Sequence, residues 1–94
     1  MIESQIQRQI IQALDAAGAI VIRMNAGRGR QNQMLAPAGT PDLLVIGRRR
    51  LYWVEVKTDT GKLREAQVEM IERLRERGQT VVVARSVDDL PVPM

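Results

Sequence analysis

Gly39-Thr40-Pro41-Asp42-Leu43-Leu44-Val45-Ile46-Gly47-Arg48-Arg49-Arg50-Leu51-Tyr52-Trp53-Val54-Glu55-Val56-Lys57 is the stretch on which the fold turns. Leu43 to Ile46 is a short apolar run, and Leu51 to Val56 is rich in β-branched and aromatic residues. Four polar residues opening with glycine separate them, which is the pattern of a β-hairpin. Pairing Ile46 with Leu51 across the turn sets Leu44 opposite Trp53 and Asp42 opposite Glu55. Side chains alternate faces along a strand, so Lys57 projects on the side of Glu55. A one-residue slip would send Asp42 to the other face.

This register sets two carboxylates side by side with an ammonium one step further on. Directly opposed residues in a sheet have Cβ atoms roughly 5 Å apart, and like charges there repel. A divalent cation reverses the sign of that term, because hard ions such as Mg²⁺ take one or two carboxylates together with water and substrate phosphate oxygens. The plainer alternative makes Asp42 a turn residue after Pro41, and Glu55 and Lys57 an exposed pair. The coincidence of a Pro-Asp at matching register favours a site.

Pro41-Asp42, twelve residues, then Glu55-Val56-Lys57 resembles the PD-(D/E)xK nuclease pattern. Gly39-Thr40-Pro41-Asp42-Leu43, Val54-Glu55-Val56-Lys57, Gly61-Lys62-Leu63 and Gln67 together resemble the VRR-NUC branch, the virus-type replication and repair nucleases. The likeness covers nearly the whole chain. It implies one nuclease domain over residues 1–94 with Mg²⁺ or Mn²⁺ as cofactor. Asp42, Glu55 and the Val56 carbonyl are the implied ligands, and Asp42, Glu55, Lys57 and Gln67 the implied catalytic set. In that family an acidic residue on the first helix reaches towards the metal, for which Glu3 is the candidate here. From physics alone Glu3 favours the helix dipole. The family's glutamine lies beside the active site, so Gln67 is expected to orient Lys57, a water or a phosphate.

Length and composition bound the rest. Ninety-four residues make one domain. A chain so short buries a limited share of its surface, which makes oligomerisation a natural supplement. With 45% hydrophobic and 27% charged residues it has a globular composition. No apolar run approaches membrane-spanning length and no signal-peptide pattern opens the chain, so no membrane is expected and the cytosol of a bacterial or phage-infected cell is the expected compartment. There is no cysteine and no histidine, which removes disulfides, thiolate chemistry, serine–histidine catalysis and imidazole-ligated metals. Any metal must be held by oxygen. Net charge is +3. Its distribution says more, with six arginines against one acid between Arg23 and Arg50. Arginine is the better bidentate partner of phosphate.

In chain order, Ile2, Ile6, Ile10, Leu14 and Ala17 recur at helical spacing over residues 1–17, with Gly18 as the stop. Ala19 to Asn25 reads as strand one. Ala26 to Gly39 lacks any period and reads as a surface loop, either a solubilising linker or a phosphate contact through Arg28 and Arg30, with Arg23 leading into it. The Arg48–Arg50 tip reads as a solvated turn. Trp53 reads as packing under the next helix rather than as a base-stacking platform. A second amphipathic helix over residues 63–77 places Leu63, Ala66, Met70, Ile71 and Leu74 inward and ends at Gly78. Gln67 lies on the edge of that face, where an inward amide needs a partner. Thr80 to Ala84 reads as a buried parallel strand reached by a right-handed crossover, and residues 86–90 as a capped short turn. The order is αβββαβ, an α/β, restriction-endonuclease-like core with a mixed four-stranded sheet flanked by helices.

The expected activity is metal-dependent hydrolysis of DNA phosphodiesters. With no separate recognition domain, structure-selective cutting is more natural than sequence-specific cutting. Stand-alone members of the resembled family look like dimeric junction-resolving enzymes, and a two-fold dimer matches a four-way junction. A homodimer cutting Holliday junctions is the leading expectation, with flap or other branched double-stranded DNA next. A catalytically idle nucleic-acid-binding module and a small structural protein with a chance motif are the competing classes.

Overall fold

The computed structural model describes residues 1–24 and 36–94. The elements are α1 (Glu3–Ala16), β1 (Ile20–Arg23), β2 (Leu43–Ile46), β3 (Leu51–Val56), α2 (Glu65–Glu76) and β4 (Val81–Ala84), followed by a 3-10 turn over Val87–Asp89. This is the expected αβββαβ order. The four strands form one mixed sheet in the order β1-β2-β3-β4. β1–β2 and β2–β3 are antiparallel, and β3–β4 is parallel.

The hairpin has the register read from the sequence, with Ile46 opposite Leu51 and Leu44 opposite Trp53. Its alternation divides the sheet. Leu43, Val45, Tyr52, Val54 and Val56 are buried on one face, where Ile6, Ile10 and Leu14 of α1 close over them. Those three isoleucine and leucine positions are four apart and so form one stripe. Both helices stop where a glycine follows: the Ala19 N–H reaches back to the Leu14 carbonyl, and the Gln79 N–H to that of Leu74. The short turn is capped by Ser86, whose hydroxyl accepts from the Asp88 N–H at 3.2 Å.

The other face departs from expectation. Of the five residues expected on the inner side of α2, only Ile71 is fully buried, and Ala66 is exposed. The helix packs towards β4, at one side of the sheet. β4 is itself an edge strand and is half-buried, not enclosed on both faces. Ile20 is 61% exposed, Ile22 42% and Leu51 50%, so among the described residues α2 leaves the β1 side of this face and the start of β3 uncovered. Trp53 is half-buried, and its indole N–H donates to the Gln79 side chain just beyond α2. Strand one is shorter than its apolar content suggests, with Met24 already in a turn.

Candidate active site

Asp42 stands immediately before β2, at the end of the β2–β3 ladder. The last backbone pair is Leu43 with Val54. Beyond it, the Val56 N–H is taken by the Asp42 carboxylate, which accepts at Oδ2 over 2.8 Å. The side chain thus continues the strand pairing by one rung and is fixed by doing so. The turn that delivers it is equally constrained. Thr40 bonds back to the Pro37 carbonyl from its hydroxyl at 2.7 Å, and Pro41 is fully buried. Gly39 has φ +85, and a Cβ there would lie 2.1 Å from the Ala66 carbonyl oxygen. Only glycine allows the turn to rest against the first turn of α2.

Glu55 lies between the buried Val54 and Val56 and is 1% exposed. Among the described residues no donor reaches its Oε1. Its Oε2 accepts from the Gln67 side-chain amide at 3.4 Å. The Glu55 carboxyl is pushed up from 4.5 to about 8, first by burial. The Asp42 charge and a hydrogen bond shared with the Asp42 carboxyl raise it further, Lys57 lowers it, and Glu3 adds a smaller push upward. Two carboxyl groups within hydrogen-bonding reach, one of them buried, are costly as anions.

Gln67 is held from behind. Its Oε1 accepts from the Arg64 N–H at 2.8 Å, the reciprocal half of a helix capping box. With the oxygen so occupied, the NH₂ group must face Glu55. The partner of Gln67 is therefore Glu55 and not Lys57, and no spacing rule signals that. Lys57 is 5% exposed and lies one residue past β3. Among the described residues its ammonium has no hydrogen bond or ion pair.

Glu3 lies in the first turn of α1, near enough for its charge to act on Glu55. It does not complete a cluster, since no three acids among the described residues are grouped to hold a metal. Arg23 lines a cleft together with Asp42. Arg28 and Arg30 lie outside the described residues.

Arg85 is a site neighbour that sequence reasoning missed. Its guanidinium donates to the carbonyls of Thr58, Asp59 and Gly61. It ties down the loop that follows Lys57 from the far end of β4.

The donor set suits a hard cation. Asp42 and Glu55 supply oxygens side by side, and among the described residues the buried Glu55 Oε1 has no donor. An ion of the Mg²⁺ class needs one or two such carboxylates and completes its shell with water and substrate oxygens.

The comparisons agree with this fold. The family model of the VRR-NUC domain matches residues 3–88. A solved structure described as "VRR_NUC domain" is 30% identical, with TM-score 0.71 over 92% of this chain and 86% of that one. Another, a "VRR_NUC domain protein", is similar in fold at 22% identity, with TM-score 0.59 over 95% of this chain and 81% of that one. Among curated proteins none is significantly similar. With the family model matching most of its length and a nuclease-type fold around the paired acids, the chain belongs to the VRR-NUC family.

Proposed function

We propose that the protein is a Mg²⁺- or Mn²⁺-dependent, structure-selective DNA endonuclease, acting as a homodimer on Holliday junctions, with flaps or other branched double-stranded DNA as the nearest alternative. The observation that carries the reading is the buried Glu55 carboxyl, beside Asp42 and without a donor at Oε1 among the described residues. An acid pair of this kind costs stability as two anions unless a proton or a cation joins it. Bound by Asp42, Glu55 and the Val56 carbonyl, the ion supplies Lewis acidity at a phosphate oxygen and eases ionisation of water.

The chain's own groups have separate tasks. Asp42 is held by the Val56 N–H and Glu55 by Gln67, so both acids are oriented before substrate arrives. Lys57, buried and uncommitted to any acid by contact, positions or deprotonates the attacking water and stabilises charge building on phosphorus. Glu3 contributes through its charge, as an outer acid that would accompany a second ion. Arg23, and with it Arg28 and Arg30, holds the DNA backbone. The open apolar face around Ile20, Ile22 and Leu51 is consistent with a second copy of the chain. No helix among the described residues is long and apolar enough to cross a membrane.

The test is cleavage of four-way junction, flap, nicked and linear DNA with EDTA, Mg²⁺ or Mn²⁺. Asp42→Asn and Lys57→Ala should bind junction DNA and leave it uncut. Cleavage by either variant at the parent rate would sink the assignment. Binding by the parent without cleavage in any metal would favour the idle module instead.

A further inference from the structure

We infer that the outer side of α1 and the end of β1 form a track for one DNA backbone running up to Asp42, with Arg8 its principal anchor. This deepens the nuclease reading and rests on it for the identity of the polymer. The feature is a cleft of about 470 Å³ lined by Ser4, Gln7, Arg8, Ile11, Gln12, Arg23 and Asp42.

Its chemistry is that of a phosphate site. Ser4, Gln7, Arg8, Ile11 and Gln12 recur at spacings of three and four, so they share one side of α1, adjoining the buried stripe. Within the cleft that side presents a hydroxyl, two amides and a guanidinium, and its acid, Asp15, lies one turn beyond Gln12 and outside the lining. Arg23 supplies a second guanidinium from the neighbouring strand. Hydroxyl, amide and guanidinium donors are the usual partners of DNA phosphates. From Ser4 to Gln12 the helix rises about 12 Å, comparable with roughly three successive phosphates of one B-form strand.

The two arginines are also uncommitted. Arg75 donates to the Val81 carbonyl, Arg77 to that of Arg73, and Arg85 to three carbonyls of one loop. Arg8 and Arg23 make no hydrogen bond or ion pair among the described residues. Arg8 has no acid three or four positions away on its own helix, whereas Arg73 has Glu69 and Glu76. Asp42, the single acid among the described residues that line the cleft, is the one that a bound cation would neutralise. A strand held by Arg8 and Arg23 would thus be led to the acid pair.

The test is binding of a fluorescent four-way junction in EDTA, where nothing is cut, across a salt series. Arg8→Gln should weaken binding about three- to tenfold at 0.1 M salt and flatten the plot of log K against log salt by about one. The Arg8→Gln, Arg23→Gln double variant should flatten it by about two. Arg49→Gln, at the hairpin turn on the opposite end of β2, is the control and should change the slope little. Both positions are exposed, and unchanged melting of each variant confirms the fold. Parent-like affinity and slope for Arg8→Gln overturn the track, even if the parent cuts DNA in Mg²⁺. Arg8-dependent binding by a parent that cuts nothing would uphold the track and reject the nuclease reading.

Discussion

Replacing Glu55 with glutamine should stabilise the metal-free protein at neutral and alkaline pH while abolishing its response to divalent metal. The magnitude follows from the carboxyl's elevation from 4.5 to about 8. At about 1.36 kcal/mol per pH unit, ionising Glu55 in the folded chain costs roughly 3–5 kcal/mol more than in the unfolded chain. Below pH 4.5 the group is neutral in both states and nothing is lost. Between 4.5 and about 8 the unfolded chain releases the proton and the folded chain keeps it, so stability falls as pH rises. Above about 8 both states are ionised and the loss levels off.

In EDTA, the parent's melting temperature should therefore drop between pH 5 and pH 9 by roughly 15–30 °C relative to Glu55→Gln, since about 1 kcal/mol moves a domain of this size by 4–8 °C. Manganese at pH 8 should restore much of that loss in the parent, through preferential binding to the folded state. Below the elevated value, metal uptake should release close to one proton, readable by calorimetry in two buffers of different ionisation enthalpy. If parent and Glu55→Gln melt with the same pH profile in EDTA, or if manganese raises both equally, then Glu55 is neither strained as an anion nor a ligand.

Three further outcomes test the supports of the site. Gly39→Ala should cost at least about 2–3 kcal/mol in denaturant unfolding, because a methyl group there meets the Ala66 carbonyl at 2.1 Å; cleavage should fall further than stability alone accounts for, since Asp42 follows the displaced turn. Arg85→Gln should leave DNA affinity unchanged and lower the turnover rate several-fold, as the loop after Lys57 loses its three-carbonyl tether; unchanged turnover would reduce Arg85 to a structural prop. Tyr52→Phe should be neutral or stabilising by up to about 1 kcal/mol on thermal unfolding, because the buried Tyr52 hydroxyl has no partner among the described residues.

The hairpin was legible because its two apolar runs and its Gly-Arg-Arg-Arg turn allow few registers, and because a slip would expose Val45 and Val54 to water. The depth of α1 was legible from Ile6, Ile10 and Leu14. What α2 covers was not. Periodicity shows that Met70, Ile71 and Leu74 share a side, but it carries no information on how much sheet lies beneath them. Here the helix leans on β4, and Met70 and Leu74 stay half-exposed. The partner of Gln67 was hidden for a different reason. It is decided by a backbone N–H at Arg64, which every residue type carries, so no letter of the sequence marks it. Arg85 was hidden because its acceptors are carbonyls more than twenty positions away. Arg8 was passed over because one arginine on a helix looks like solvated surface until Arg23 and Asp42 are seen across the same cleft.

The division of the sheet explains how so small a protein tolerates an acid pair. The residues flanking each carboxylate in the chain, Leu43 beside Asp42 and Val54 and Val56 around Glu55, are completely buried on the α1 face. Their packing fixes the backbone from which the acids project, and Asp42 adds its own bond to the Val56 N–H. Moving the two carboxylates apart would mean breaking that bond and lifting valines out of a closed core. Truncating one such valine by two methyl groups opens a cavity worth roughly 2 kcal/mol or more. Burial is the first cause of the Glu55 elevation and the Asp42 charge only the second, so separating the acids would relieve a part of it and would cost core packing. The electrostatic strain is left with two outlets, uptake of a proton or uptake of a cation. Near neutral pH the folded chain already takes the first, and a hard ion in the cell competes for the same place. The apolar face thus sets the electrostatic state of the polar one, and a core substitution under α1 should alter metal affinity without touching any ligand.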